Sequence, residues 1–268
     1  MLPVKCQILL TNDDGIQSPG LWAAAEALST LGYVHVVAPR EQMSGVGRSL
    51  PTSSDGKIAA QKLTVHDKEW TVYAVGGTPA QAVLHGVLEV LPVWPDLVVS
   101  GINYGENLGT GVTVSGTVGA ALEAASLGIP ALAASLQVPS SYYMSYSKEV
   151  DFSAARYFVT FFARKILEQG LLPDVDILKL DIPSTATPDT PWELTRQSRH
   201  RYYRPIKPKR QSWDEPGYVG YELAVDPAEL PHDTDVYALL VKKVVSITPL
   251  SIDLTSRLSQ GDLEHFLT

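Results

Sequence analysis

ILLTNDDGIQSPG, residues 8–20, is the stretch on which the fold turns. Ile8-Leu9-Leu10 run straight into Thr11-Asn12-Asp13-Asp14-Gly15, and Pro19 then opens PGLWAAAEALSTL, which ends at Leu31 ahead of Gly32. An apolar run of strand length, a turn marked by glycine, and a helix with proline in its first turn and glycine after its last make a strand–loop–helix unit. Two carboxylates side by side where a buried strand ends require a physical reason.

The unit repeats along the chain. Strands are expected at Gln7–Thr11, Val34–Ala38, Trp70–Val75, Asp96–Ser100, Pro130–Ser135 and Val175–Ile182, and helices from Thr78-Pro79 to about Leu91, over Thr117–Leu127 and over Phe152–Gln169. Strands alternating with helices, several of them continuous apolar runs such as Leu97-Val98-Val99, predict a mostly parallel sheet covered on both faces. Residues 1–183 read as this α/β core. From Pro183 prolines and polar residues thicken and helical period disappears. Short β-like runs remain at Trp192–Arg196, Tyr218–Leu223 and Val244–Ile247, so 184–268 reads as a C-terminal extension of β-hairpins or an arm and a terminal helix near Thr255–Phe266, part of one structural unit. Its proline content argues that it does not extend the wound sheet.

With 268 residues, 45% of them hydrophobic, the chain can bury a large core. A net charge of −8 offers no global positive field for duplex nucleic acid. One cysteine, Cys6, allows no internal disulfide, which suits a reducing compartment, with the cytoplasm as the default. The opening MLPVK does not read as a leader, lacking an apolar core and a small-residue cleavage site, and no apolar run approaches the ~18 residues of a membrane helix.

In parallel α/β sheets ligands bind at the carboxyl ends of strands. The residues expected there are Asn12, Asp13 and Asp14, then Ser44 and Gly45 after the second strand, Asn103 after Asp96–Ser100, and Ser115-Gly116-Thr117 at a helix start. At the turn marked by Gly15, Asp13 and Asp14 can converge on one point, and a divalent cation would relieve their repulsion. Ser44 and Asn103 can supply neutral oxygens to such an ion. An Asx turn capping the next helix is the alternative reading of the acids. Ser115-Gly116-Thr117 suits an anion, because glycine allows close approach, hydroxyls donate and the helix start carries partial positive charge; an ordinary N-cap is the alternative.

Other chemistries fail on spacing. The glycines at 101, 105 and 109 do not match the dinucleotide fingerprint, no phosphate loop ends in Gly-Lys-Ser/Thr, the six histidines never fall in HExxH, and Ser115 is not in a Gly-x-Ser-x-Gly elbow. Residues 196–210, RQSRHRYYRPIKPKR, hold seven Lys and Arg interleaved with Tyr202 and Tyr203. This run reads either as an electrostatic guide for anionic substrates or single-stranded oligonucleotides, or as a solvated or subunit-bridging hairpin.

With these residues assembled, the chain resembles the SurE family of stationary-phase survival proteins, metal-dependent 5′/3′-nucleotidases. The likeness rests on TNDDGIQSPG (11–20), VVAP (36–39) with Ser44-Gly45, GGTPAQAV (76–83), PDLVVSGINYGENLG (95–109), SGTVGAALEAASLGIPALAAS (115–135) and VSITPLSIDLT (245–255). It implies a Rossmann-like three-layer α/β/α core and a C-terminal part exchanged between subunits of a homodimer or homotetramer. It implies one Mg²⁺ or Mn²⁺ per subunit held by Asp13, Asp14, Ser44 and Asn103, and a phosphate pocket lined by Asn12, Gly45, Ser115, Gly116 and Thr117. Nucleoside monophosphates are the implied substrates, with short polyphosphate as a further one. The chain departs from the family pattern at Gly111, Val114 and Ser251, where Asp, Tyr and His are usual, and in the loop Arg40-Glu41-Gln42-Met43.

The expected reaction is phosphomonoester hydrolysis, with Asp13 or Asp14 orienting or deprotonating water and Asn12 and residues 115–117 stabilising the phosphoryl group. Two alternatives stand: attack on phosphorus by one aspartate itself, and a non-catalytic nucleotide or polyphosphate-binding stress protein on the same fold.

Overall fold

The computed structural model describes residues 6–65, 68–143, 145–147 and 149–267. The opening MLPVK lies outside them. In chain order the strands are β1 (Cys6–Thr11), β2 (Gly32–Pro39), β3 (Ile58–Val65), β4 (Lys68–Val75), β5 (Leu97–Tyr104), β6 (Ala131–Leu136), β7 (Ile177–Ile182), β8 (Trp192–Leu194), β9 (Tyr203–Ile206), β10 (Gly220–Leu223) and β11 (Val245–Leu250). The helices are α1 (Pro19–Leu28), α2 (Pro79–His85, prolonged by a π turn at Gly86–Val90), α3 (Gly116–Ser126), α4 (Ser153–Gln169), the single turn α5 (Asp235–Tyr237) and α6 (Gln260–Leu267).

Nine strands form one sheet in the order β3-β4-β2-β1-β5-β6-β7-β11-β8, and β9 pairs with β10 in a separate hairpin. From β4 to β7 all neighbours are parallel, whereas β3 and β11 run antiparallel to their inner neighbours. The expected parallel sheet is therefore present, with β1 and β5 side by side at its centre. Alternation along β1 sends Ile8 and Leu10 to one face and Leu9 to the other. The first face packs against α1 and α4 through Leu21, Leu28, Phe158 and Phe162; the second packs against α2 and α3 through Val83, Val118 and Ala121. Each fully buried aliphatic side chain contributes about 1.5–3 kcal/mol, so this double-sided burial dominates stability.

Local chemistry sets the element ends. Thr78 and Gln81 form a reciprocal capping box at α2, with bonds of 3.2 and 3.0 Å. α1 stops at Leu28 rather than Leu31, because the hydroxyls of Ser29 and Thr30 donate to the carbonyls of Glu26 and Ala27 and compete with further helix. α6 begins at Gln260, later than the expected Thr255. β3 was not foreseen.

One expectation is overturned. Residues beyond Pro183 do extend the sheet: β11 pairs with β7 over Ser246–Leu250, and β8 pairs with β11 over Val245–Ile247. The polar residues that argued against this are satisfied inside it. Ser246 and Thr248 are buried, and both hydroxyls bond to Thr195 Oγ1 at 2.8 Å. Pro249 is tolerated because β8 pairs only as far as Ile247, so no ladder on that edge needs its missing N–H.

Candidate active site at the carboxyl ends of the central strands

The loop after β1 is closed by Asn12, not by the two aspartates. Asn12 Oδ1 accepts from the Gly15 N–H at 3.2 Å and its Nδ2 donates to the Gly15 carbonyl at 3.1 Å, with Gly15 at φ +93°. The acids are thereby left for other work.

Asp13 points at the start of α3. Its Oδ1 accepts from Thr117 Oγ1 at 2.5 Å, and the N–H groups of Gly116 and Thr117 support the same carboxylate. Gly116 makes this possible: a Cβ there would stand 2.7 Å from Asp13 Cβ and 2.9 Å from its Oδ2. Ser115 is the N-cap, its Oγ accepting from Val118 N at 3.1 Å. Asp14 is held from the other side, Oδ2 accepting from Tyr104 N at 3.0 Å and Oδ1 from Gln42 Nε2 at 3.2 Å. The Gln42 amide also donates to Ser44 Oγ at 3.1 Å and to the Tyr143 carbonyl at 2.9 Å, tying the loop after β2 to the acidic pair.

Both aspartates are almost wholly buried. Burial pushes the Asp13 carboxyl up, opposed by Thr117 and the helix-start N–H groups. Burial and then the charge of Asp13 push Asp14 well up, opposed by Tyr104 N–H and Gln42. Two full charges here need a cation. Among the described residues no three or more His, Cys, Asp or Glu side chains cluster to hold a metal ion, so a cation at this pair would draw further ligands from neutral oxygens and water. That donor set suits Mg²⁺ or Mn²⁺, hard ions that keep several waters. Asn103 fits it, because its Nδ2 donates to the Gly105 carbonyl at 2.7 Å and leaves the amide oxygen as the ligating end. A register shift between Ser100 and Asn103 in the β5–β6 pairing re-aims this residue at the strand end.

A cavity of about 200 Å³ opens beside the pair, lined by Asp13, Ser44, Gly45, Asn103 and Ser115 among the expected residues. Asn12, Asp14, Gly116 and Thr117 stand behind this wall and bond to its members or to the turn. A larger groove of about 750 Å³, between Trp22, Phe152 and Arg156, contains none of the expected residues.

Among the wall residues not foreseen as site residues are Glu106, Tyr143, Tyr202 and Tyr203. Tyr202 and Tyr203 donate to Glu106 Oε1 at 2.7 and 3.2 Å, and burial together with the Glu106 charge drives both phenols far above their ordinary range, so they remain donors. They come from the basic run, whose character is thus mixed. Arg196 pairs with Asp233 and Arg204 with Glu222, while among the described residues Arg199, Arg201, Lys207 and Lys209 make no ion pair.

Behind the cavity Lys179 is buried between Asp181 and Asp235, 3.2 Å from the latter. Asp181 accepts from Asn107 N at 2.7 Å, and Asp235 accepts from Gly109 N at 3.0 Å and Ser198 N at 2.9 Å, so one ion cluster fixes the loop after β5 and the extension together. Burial outweighs the neighbouring ammonium at Asp181 and pushes its carboxyl up to about 6. A signal for this cluster exists in ILKLDI, where Lys179 and Asp181 share one face of an otherwise apolar strand.

Of the departures from the family pattern, Gly111 and Val114 lie on the cavity wall, and a Cβ at Gly111 would meet nothing within 4 Å. Ser251 follows β11 at the opposite end of the sheet, donating to Asp174 Oδ1 at 2.9 Å.

The family described as "Survival protein SurE" matches residues 8–204. The chain is 41% identical over 268 residues to a protein of Methanosarcina mazei named 5′-nucleotidase SurE, covering 97% of both. A protein of the same name from Thermococcus gammatolerans is 41% identical over 261 residues, covering 97% of this chain and 96% of its own. The crystal structure of the SurE protein from Aquifex aeolicus superposes with a TM-score of 0.74 at 33% identity, covering 98% of this chain and 100% of that one. With the match spanning core and site alike, the chain belongs to the SurE family.

Proposed function

We propose that the chain is a divalent-metal-dependent phosphomonoesterase that releases phosphate from nucleoside 5′- and 3′-monophosphates. The observation that carries this reading is the buried Asp13–Asp14 pair, held by α3, Tyr104 and Gln42 at the edge of a cavity that also contains Ser44, Asn103 and Ser115. The names of the relatives support the substrate class.

Asp13, Asp14, Ser44 and Asn103 would hold one Mg²⁺ or Mn²⁺ per subunit. When bound, such an ion supplies Lewis acidity toward a phosphoryl oxygen and acidifies water. The remaining work falls to the chain. Asp13, the member of the pair that reaches the cavity, orients the attacking water and takes its proton. Ser115 Oγ and the main chain at Gly45 receive the phosphoryl oxygens; Gly116 and Thr117, whose polar groups are turned to Asp13, and Asn12, which closes the turn, act one step back by fixing that carboxylate. Loss of one such preorganised donor typically costs about 3 kcal/mol of transition-state stabilisation.

The same reading makes the protein a cytoplasmic homodimer or homotetramer. Exposed Trp213, Tyr218 and Tyr221 on and beside the β9–β10 hairpin, with Leu254 and Phe266 near the C-terminus, support an assembled state. Among the described residues no helix is long and apolar enough to cross a membrane.

The test is phosphate release from AMP and GMP, with and without Mn²⁺ or Mg²⁺, beside an Asp13→Asn control. Metal-dependent release lost in the variant is expected. Absence of release under every metal and pH would leave the non-catalytic nucleotide- or polyphosphate-binding reading in its place. Borohydride reduction during turnover discriminates the chemistry: an acyl phosphate on Asp13 or Asp14 is reduced to homoserine, whereas direct attack by water leaves both residues intact.

A further inference from the structure

Ser44 and Gly45 line the cavity beside the acidic pair with little packing of their own. Both are exposed, and a Cβ at Gly45 would meet nothing within 4 Å. The chain on either side must place them. Before them, the Met43 N–H donates to the Asp13 carbonyl at 2.7 Å. After them, Gly47 is buried at φ +55° and its N–H donates to the Val114 carbonyl at 2.9 Å.

α3 is shaped to receive this loop. Gly116, Gly119 and Glu123 fall at helical spacing along one of its faces. A Cβ at Gly116 would stand 3.1 Å from the Met43 carbonyl oxygen, and one at Gly119 would stand 2.3 Å from the Gly47 carbonyl oxygen, so the loop backbone rests directly on the helix. A turn further on, Glu123 is the one charged residue of α3 and is buried; Arg48 Nε donates to its Oε2 at 2.7 Å. A buried carboxylate is tolerated only with a partner. Because that partner comes from the loop, the loop cannot lift from α3 without leaving the charge unserved.

We infer that the Arg48–Glu123 pair is the clasp that seats Ser44 and Gly45 over the site, which makes Arg48 a positioning residue for the hydroxyl of the first and the backbone of the second. The inference rests on reading those two residues as parts of the metal and phosphate site and adds to it the group that holds them there.

Side-chain geometry selects the variants. Gln places an amide nitrogen where arginine has Nε, and Met places a methyl group there, so Arg48→Gln keeps a donor to Glu123 and Arg48→Met removes it. Amide hydrogen exchange of the metal-free protein is read together with calorimetric titration by Mn²⁺. In Arg48→Met the Gly47 N–H is expected to exchange about 10-fold faster or more while the amides of β1 keep their protection. Mn²⁺ should bind that variant about 10- to 100-fold more weakly, the usual effect of losing a group that orients a ligand. Arg48→Gln restores most of both. The double variant Arg48→Met with Glu123→Gln leaves no buried charge unpaired and is expected to loosen the loop in the same way, whether or not the single variant folds. Unchanged exchange at Gly47, equal damage by Gln and Met, exchange that rises throughout the sheet, or a loosened loop with undiminished Mn²⁺ affinity overturns the proposal. A wild type that binds no Mn²⁺ sinks the cation reading instead, and exchange at Gly47 then decides the clasp by itself.

Discussion

Gly116 imposes the tightest steric condition on the site, because Asp13 occupies the space that any Cβ would need. Gly116→Ala is expected to cost about 1–3 kcal/mol in urea denaturation through overpacking, and to weaken Mn²⁺ binding as Asp13 shifts. Unchanged metal affinity in that variant would contradict the placement of Asp13 as a ligand. Gln42 acts at the same scale by a different route: its amide bridges Asp14 and Ser44 without itself facing the cavity. Removing such an orienting partner costs about 10- to 100-fold in metal affinity, so Gln42→Ala should bind Mn²⁺ more weakly by that factor in calorimetry while Tm changes little. The paired acids were legible in the sequence because an apolar strand running into Asp-Asp-Gly leaves few structural explanations. Gln42 was not, since nothing in Arg40-Glu41-Gln42-Met43 marks which polar side chain will turn inward.

At the level of elements, β1, β5 and α3 converge because parallel strands deliver their carboxyl ends to one edge, and this was readable from apolar runs punctuated by glycine and proline. β8 and β11 were legible as short β runs but not as members of this sheet. Their hydroxyls and Pro249 look like loop composition, and only the mutual bonding of Thr195, Ser246 and Thr248 makes them sheet. Tyr202 and Tyr203 escaped for a related reason, because a basic run gives no sign that two rings within it close over a cavity built from residues about a hundred positions earlier. The element that joins these parts is β7, through Lys179 and Asp181. Lys179→Met leaves Asp181 and Asp235 buried without their cation, and a loss of about 3–5 kcal/mol is expected in urea denaturation. A loss below about 1 kcal/mol would show that the ion cluster does not anchor the extension to the core.

For the whole molecule the same electrostatics set a pH dependence. The carboxyls of Asp13 and Asp14 are raised in the folded chain, so the folded state holds protons that the unfolded chain has released above about pH 4. Their contribution to stability is therefore greatest at low pH and falls as pH rises through the folded values. Asp181, at about 6, adds to this fall between about pH 4 and 6. A divalent cation that binds only the ionised pair reverses the penalty, and at 100 times Kd it contributes about 2.7 kcal/mol, or roughly 5–10 °C in Tm for a chain of this size. The Mn²⁺-induced rise in Tm should be larger at pH 7.5 than at pH 5, where bound protons compete. An equal rise at both values would contradict the burial argument.

The central claim is that the acidic pair exists to hold a cation beside a bound phosphate ester. Anomalous diffraction from a crystal grown with Mn²⁺ addresses it directly. One peak bounded by Asp13, Asp14 and Asn103 is the predicted result; a map with ordered side chains and no peak beside the pair would contradict the account.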